Sequence, residues 1–200
     1  MISLQMLEGR NLSVGYPEPI LSNIDISVKS GEIMGLYGPS GAGKTSLGRV
    51  LAGLQKPLAG QVLLEGKPLP TKGRLVVQYL YQSAASAMNP RWSLRRILQE
   101  AGSHDPDIAH FLGVEAAWFD RYPHEISGGQ LMRLSLLRAL TVQPKYLIAD
   151  EISAPLDAIN QARLLGLLSE LAQSKGLGIL AISHDLALLQ KITSAGIQRL

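Results

Sequence analysis

An α/β fold with a mainly parallel sheet, preceded by a short antiparallel region and interrupted by a helical insertion, is what this sequence predicts. Three observations carry the reading. The apolar segment EIMGLYG (Glu32 to Gly38) enters a glycine-rich loop and then a run of helical spacing, giving strand, loop, helix. Two further unbroken apolar segments, YLIAD and LGILAIS, lie either side of an amphipathic helical stretch. Strands buried on both faces and joined by helices look like this. The first thirty residues behave differently: they alternate apolar and polar at period two around Gly and Asn, as antiparallel strands do.

Taken in order, LQMLEGRNLSVGY and LSNIDISVKSGE are the antiparallel pair. After the glycine loop, KTSLGRVLAGL sets Leu47, Val50, Leu51 and Leu54 on one helical face. GQVLLEGKPL returns to short strands with turns, and RLVVQYLYQ (Arg74 to Gln82) is a strongly apolar strand. From Ser83 to about Tyr122 the pattern is helical with Pro90 and Pro106 as breaks; SLRRILQEAG and DIAHFLGV are its helices, on a separate lobe. SGGQLMRLSLLRALTVQ is a helix capped by Ser127, PKYLIADE a buried strand ending in carboxylates, INQARLLGLLSELAQSKG a helix and LGILAISHD a last buried strand. There is no internal repeat and no low-complexity linker.

The 200 residues suffice for one substantial core. An apolar fraction of 46% is ordinary, and uncharged runs are broken by Gly, Pro and Gln well short of a membrane span. MISLQMLEGR has no basic head and no sustained apolar segment, so a cytoplasmic chain is expected. The absence of cysteine excludes disulfides and thiolate metal sites. A formal charge of +3, scattered rather than blocked, argues against nucleic acid as a partner.

Gly38-Pro39-Ser40-Gly41-Ala42-Gly43-Lys44-Thr45, followed by Ser46, fits G-x-x-x-x-G-K-[ST] after an apolar strand and before a helix. Bare backbone can wrap phosphate oxygens and aim N–H groups at them, and the helix N-terminus adds partial positive charge. The expectation is a P-loop NTPase core that cradles a triphosphate. Lys44 would reach the β- and γ-phosphates and the Thr45 hydroxyl would ligate Mg²⁺. Kinases, GTPases and ATPases all remain open at this point. Asp150 and Glu151 close the strand YLIAD at the edge where α/β sheets bind ligands. Asp150 can hold Mg²⁺ through water, and Glu151 can polarise an attacking water as general base.

ISGGQ (Ile126 to Gln130), standing among GPSGAGKT, YLIADE and ISHD in that order, resembles the signature of ABC-type ATPases, and the resemblance covers almost the whole chain. It implies an ATPase core over 1–82 and 143–200 that includes the antiparallel subdomain, with a helical subdomain over 83–142. It also implies that Ser127, Gly128, Gly129 and Gln130 contact the ATP held by a second ATPase subunit, identical or different, in a head-to-tail dimer. By the same resemblance Tyr16 stacks on adenine and Gln82 touches Mg²⁺ and water while joining core to lobe. His184 is then the switch histidine at the γ-phosphate, and Asp157, also a natural helix N-cap, belongs to the loop crossing the dimer interface. Three positions depart from the pattern: Ile152 replaces a usual proline, Ala154-Pro155 a usual Ser-Ala, and Met132 a frequent glutamine. The family commonly continues past the histidine through further strands, whereas this chain ends at AGIQRL.

SAASAMNPRWSLRRIL, with NPR before a helix, resembles the oligopeptide, dipeptide and nickel importer branch. The branch implies membrane permease subunits as partners, an extracytoplasmic solute-binding protein reached indirectly, and a peripheral place on the cytoplasmic face of the inner membrane. Two rivals stand beside it. A soluble ABC ATPase of DNA repair or translation usually joins two ATPase halves or inserts a long coiled coil. A P-loop small-molecule kinase needs no SGGQ and carries an arginine-rich lid, which is not found here.

Overall fold

The computed structural model describes residues 5–70, 76–153 and 156–200. Arg74 and Leu75, at the start of one expected strand, and the Ala154-Pro155 pair lie outside the described residues. In chain order the elements are β1 (Met6–Gly15), β2 (Pro19–Lys29), β3 (Ile33–Tyr37), α1 (Lys44–Leu51), β4 (Ala59–Leu64), β5 (Lys67–Pro68) and β6 (Val77–Leu80). Then follow α2 (Leu94–Ala101), α3 (Pro106–Phe111), α4 (Gly128–Thr141), β7 (Tyr146–Asp150), α5 (Ala158–Lys175), β8 (Gly178–Ser183), α6 (Leu186–Ile192) and β9 (Ile197–Arg199). Short 3₁₀ turns at Ala84–Ala87, Ala116–Trp118 and Pro123–Glu125 surround α2 and α3.

Two sheets form. One is antiparallel, in the order β2-β1-β4-β5; the other runs β6-β7-β8-β3-β9, and all its pairings are parallel. Every residue of β7 and β8 is buried, which is why their sequences are unbroken apolar runs. The period of two then sorts their side chains between two cores. Ile148, Leu180 and Ile182 face α1 and the antiparallel sheet, with Leu7, Leu12 and Leu47. Leu147, Ile179 and Ala181 face the helices, with Leu134, Leu137, Leu168 and Leu189.

Register decides where function can sit. Tyr37 pairs with Ser183 and Asp150 with Ile182, so β3, β7 and β8 end together and release their following residues at one sheet edge. That edge, outside the carboxyl ends of parallel strands, is where such sheets bind ligands.

α1 is shorter than its apolar spacing predicts. It stops at Leu51, Ala52 caps it, and Gly53 turns the chain at φ 72°, which leaves Leu54 at 47% exposure rather than on the buried face. β6 is also shorter than RLVVQYLYQ, ending at Leu80, so Gln82 follows the strand instead of closing it. α6 and β9, seven and three residues long, carry patterns too brief for a sequence reading. β9 nevertheless extends the parallel sheet, Gly35 pairing with Ile197.

The expected cap of α4 is present in full. The Ser127 hydroxyl accepts from the Gln130 N–H at 3.2 Å, and the Gln130 side chain accepts from the Ser127 N–H at 2.9 Å, a capping box. Ser127→Ala is expected to lower stability by about 1 kcal/mol. A urea midpoint that moves down at constant slope checks this; an unmoved midpoint contradicts it.

Candidate functional site

Residues 38–43 link β3 to α1 as an open loop whose backbone requires glycine at 41 and 43. Gly41 has φ 82° and Gly43 φ 87°, the left-handed region that costs other residues. A Cβ on Gly43 would also stand 2.9 Å from Leu21 Cδ1 and 3.3 Å from Ile20 Cγ2, so the start of β2 lies against the loop. Pro39, Ser40 and Gly41 are exposed, Ala42 and Ser46 half-buried, and Gly38 buried.

Lys44 is 6% exposed, and its Nζ donates to the carbonyls of Gly38 at 2.8 Å and Pro39 at 2.9 Å. The same Nζ lies 3.9 Å from Glu151 Oε1. Glu151 Oε2 in turn accepts from His184 Nδ1 at 2.9 Å. Lys44 at the start of α1, Glu151 after β7 and His184 after β8 therefore meet through one carboxylate. Glu151 itself has φ 50°, an uncommon conformation for a residue with a side chain, and its N–H donates to Ile182 O at 3.0 Å. Such local strain collects at functional sites.

Asp150 is 5% exposed. Its Oδ2 accepts from the Thr45 hydroxyl at 2.8 Å and from the Tyr79 hydroxyl at 2.6 Å. Its Oδ1 is buried and has no hydrogen-bond partner among the described residues. A buried carboxylate oxygen without a donor suits a metal-bound water, and the Thr45 hydroxyl, donating its proton to Asp150, keeps lone pairs for a hard cation. The residues present therefore fit Mg²⁺.

The structure thus brings together Lys44, Thr45, Asp150, Glu151 and His184. Other expected residues stand apart. Gln82 is exposed beyond β6, in a shallow pocket with Ser83, Ala84 and the start of α4. Among the described residues it makes no hydrogen bond to Thr45 or Asp150. Tyr16 is 91% exposed in the β1–β2 turn. Ser127, Gly128, Gly129 and Gln130 open α4 and make no hydrogen bond or ion pair with the glycine loop among the described residues. Asp157 caps α5, accepting from the N–H groups of Ile159 and Asn160 at 3.0 and 2.9 Å. Hydrogen bonds from Asn160 hold its carboxyl below the usual carboxylate range. Of the departures from the family pattern, Met132 and Ile152 are both buried, at 1% and 4% exposure, where apolar side chains are accommodated by packing.

Two neighbours of the site escape a sequence reading. Ile20, 55% exposed, sits beside Gly43 near the start of β2. Tyr79 reaches Asp150 from β6; the only sequence signal for it is a tyrosine at a strand position facing α1, where an aliphatic residue would pack as well.

A family model described as "ABC transporter" matches residues 21–154. The nickel import ATP-binding protein NikE of Escherichia coli (strain K12) is 36% identical, over 87% of this chain and 72% of its own length. Among solved structures, cbiO1 from Clostridium perfringens, part of the ABC transporter complex cbiONQ, superposes with TM-score 0.82 at 22% identity, covering 97% of this chain and 84% of that one. The ATP-binding cassette MJ0796 in a dimeric post-hydrolysis state with ADP and Pi gives 0.82 at 19%, covering 97% and 94%. At these identities the solved structures speak for the fold. With the family model spanning most of the chain and a relative at 36% identity, the chain belongs to the ABC transporter family, as one of its ATP-hydrolysing subunits.

Proposed function

We propose that this chain binds ATP in its glycine loop and hydrolyses it with Glu151 as general base, as one of two ATPase subunits closed head-to-tail, powering import of a small solute through a separate membrane permease. The observation that carries the reading is the meeting of Lys44, Glu151 and His184 beside the Thr45–Asp150 pair at one sheet edge.

The roles follow from position. The N–H groups of Gly41 and Gly43 and those of Lys44, Thr45 and Ser46 at the α1 N-terminus would face the phosphates. Lys44, already within reach of both loop and carboxylate, supplies the fixed positive charge. Glu151 takes a proton from the attacking water, and His184, bonded to Glu151, holds that carboxylate and stands ready for the γ-phosphate. Thr45 and Asp150, with Gln82, would hold Mg²⁺, which supplies charge neutralisation on the phosphate oxygens. Tyr16, exposed in the β1–β2 turn, offers an aromatic face for adenine.

Ser127, Gly128 and Asp157 are exposed and Gly129 and Gln130 half-buried at helix starts, with no hydrogen bond to the chain's own loop among the described residues, which suits contact with ATP held by another chain. The N–H groups of Gly128 and Gly129 open α4 and can bind an anionic group. The division into a core of 1–82 and 143–200 and a helical lobe of 83–142 matches these two duties. Among the described residues no helix is long and apolar enough to cross a membrane, in keeping with a peripheral subunit on the cytoplasmic face that relies on a permease. The relative NikE is named as a nickel importer component, which supports nickel or a nickel complex as solute; a peptide is the alternative within the same branch. An extracytoplasmic solute-binding protein would choose that solute.

The test is turnover against protein concentration, with and without the permease. Each site needs groups from two chains, so specific activity should rise with concentration when the chain is alone and rise further with permease. Fast, concentration-independent turnover by dilute chain would sink the shared site.

A further inference from the structure

Asp150 is held by more than Thr45. β6 alternates, so that Val77 and Tyr79 face α1 and the antiparallel sheet while Leu80 joins the helical core. The Tyr79 ring lies against α1 at Gly48. A Cβ there would stand 3.3 Å from Tyr79 Cε2, 3.1 Å from Ile148 Cγ2 and 2.8 Å from Ile182 Cδ1, so the glycine lets helix, strands and ring approach. From that seat the hydroxyl donates to Asp150 Oδ2 at 2.6 Å, the same oxygen that takes the Thr45 bond. Burial first, then the bond to Asp150 and its charge, raise the tyrosine's pKa well above its ordinary value, while Arg49 pulls weakly the other way. At that distance from a carboxylate oxygen the hydroxyl is the donor.

We propose that Tyr79 is a positioning residue for the Mg²⁺ site: with Thr45 it ties down one oxygen of Asp150, leaving the unpartnered Oδ1 to accept from metal-bound water. This rests on the reading of Asp150 as the metal-holding carboxylate. Two donors on Oδ2 fix the carboxylate about its last torsion, which is otherwise broad and roughly two-fold. With Thr45 alone, the two oxygens can exchange places. The metal then meets a carboxylate that must be ordered first. Tyr79 bonds to Asp150 and not to the glycine loop, so its removal should leave metal-free nucleotide binding alone.

The experiment measures affinity for a fluorescent ATP analogue on the full chain, in EDTA and across a Mg²⁺ titration, for wild type, Tyr79→Phe and Asp150→Asn. Phenylalanine keeps the ring against Gly48. Tyr79→Phe should need about three- to tenfold more Mg²⁺ for half-maximal tightening, part of what one hydrogen bond to a charged group contributes because Thr45 still holds the carboxylate, with metal-free affinity within about twofold of wild type. Asp150→Asn should shift the same curve at least as far. If Asp150→Asn shifts it and Tyr79→Phe does not, the positioning role is overturned and the metal reading stands. If Asp150→Asn leaves the curve unmoved, the metal reading fails and the role of Tyr79 falls with it. Equal weakening by Tyr79→Phe with and without Mg²⁺ would assign Tyr79 to packing alone, against the proposal.

Discussion

Glu151→Gln is expected to lower ATP hydrolysis by roughly 10²- to 10⁴-fold, the range for loss of a positioned base, while ATP binding survives. Glutamine keeps the shape of the side chain at the turn after β7 and can still meet His184. It cannot accept a proton from water. Asp150 and Thr45 keep their mutual bond, and Lys44 keeps its two loop carbonyls, so the groups assigned to binding are untouched. Steady-state turnover in the assembled complex, beside equilibrium binding of ATP, separates the two effects. Near-normal turnover would remove Glu151 from the role of base.

Lys44→Ala is expected to weaken ATP affinity by about 10- to 100-fold, the value of one or two hydrogen bonds to a charged group. Lys44 is buried, its ammonium is held over the loop by Gly38 and Pro39, and an alanine offers the phosphates no countercharge. The same substitution strips those carbonyls of a donor, so a melting curve belongs beside the titration. Unchanged affinity in a well-folded variant would exclude the glycine loop as the nucleotide site.

Much of this was legible in the sequence because the strongest signals are local. β3, loop and α1 follow from an apolar run, four glycines within ten residues of one another and a helical spacing, and β7 and β8 from apolar runs that only double burial explains. Ser127 and Asp157 read as caps because a capping side chain bonds within three residues of itself. What was not legible depends on long-range geometry. The Glu151–His184 pair spans 33 residues and the Tyr79–Asp150 bond 71, and neither spacing has a local mark. The end of α1 was misjudged because Leu54 keeps the helical spacing while Gly53 has already turned the chain. β9 has three residues, too few for any period, and exists because β3 offers a free edge.

The central claim is that ATP is shared between the glycine loop of one ATPase subunit and the Ser127 turn of another. Light scattering on the Glu151→Gln chain, copurified with its partner ATPase and without permease, tests it most directly. With hydrolysis blocked, ATP and Mg²⁺ should give a two-subunit particle that falls to single subunits when ADP replaces ATP. A mass that is the same in ATP, in ADP and without nucleotide would contradict a site closed by two chains over ATP.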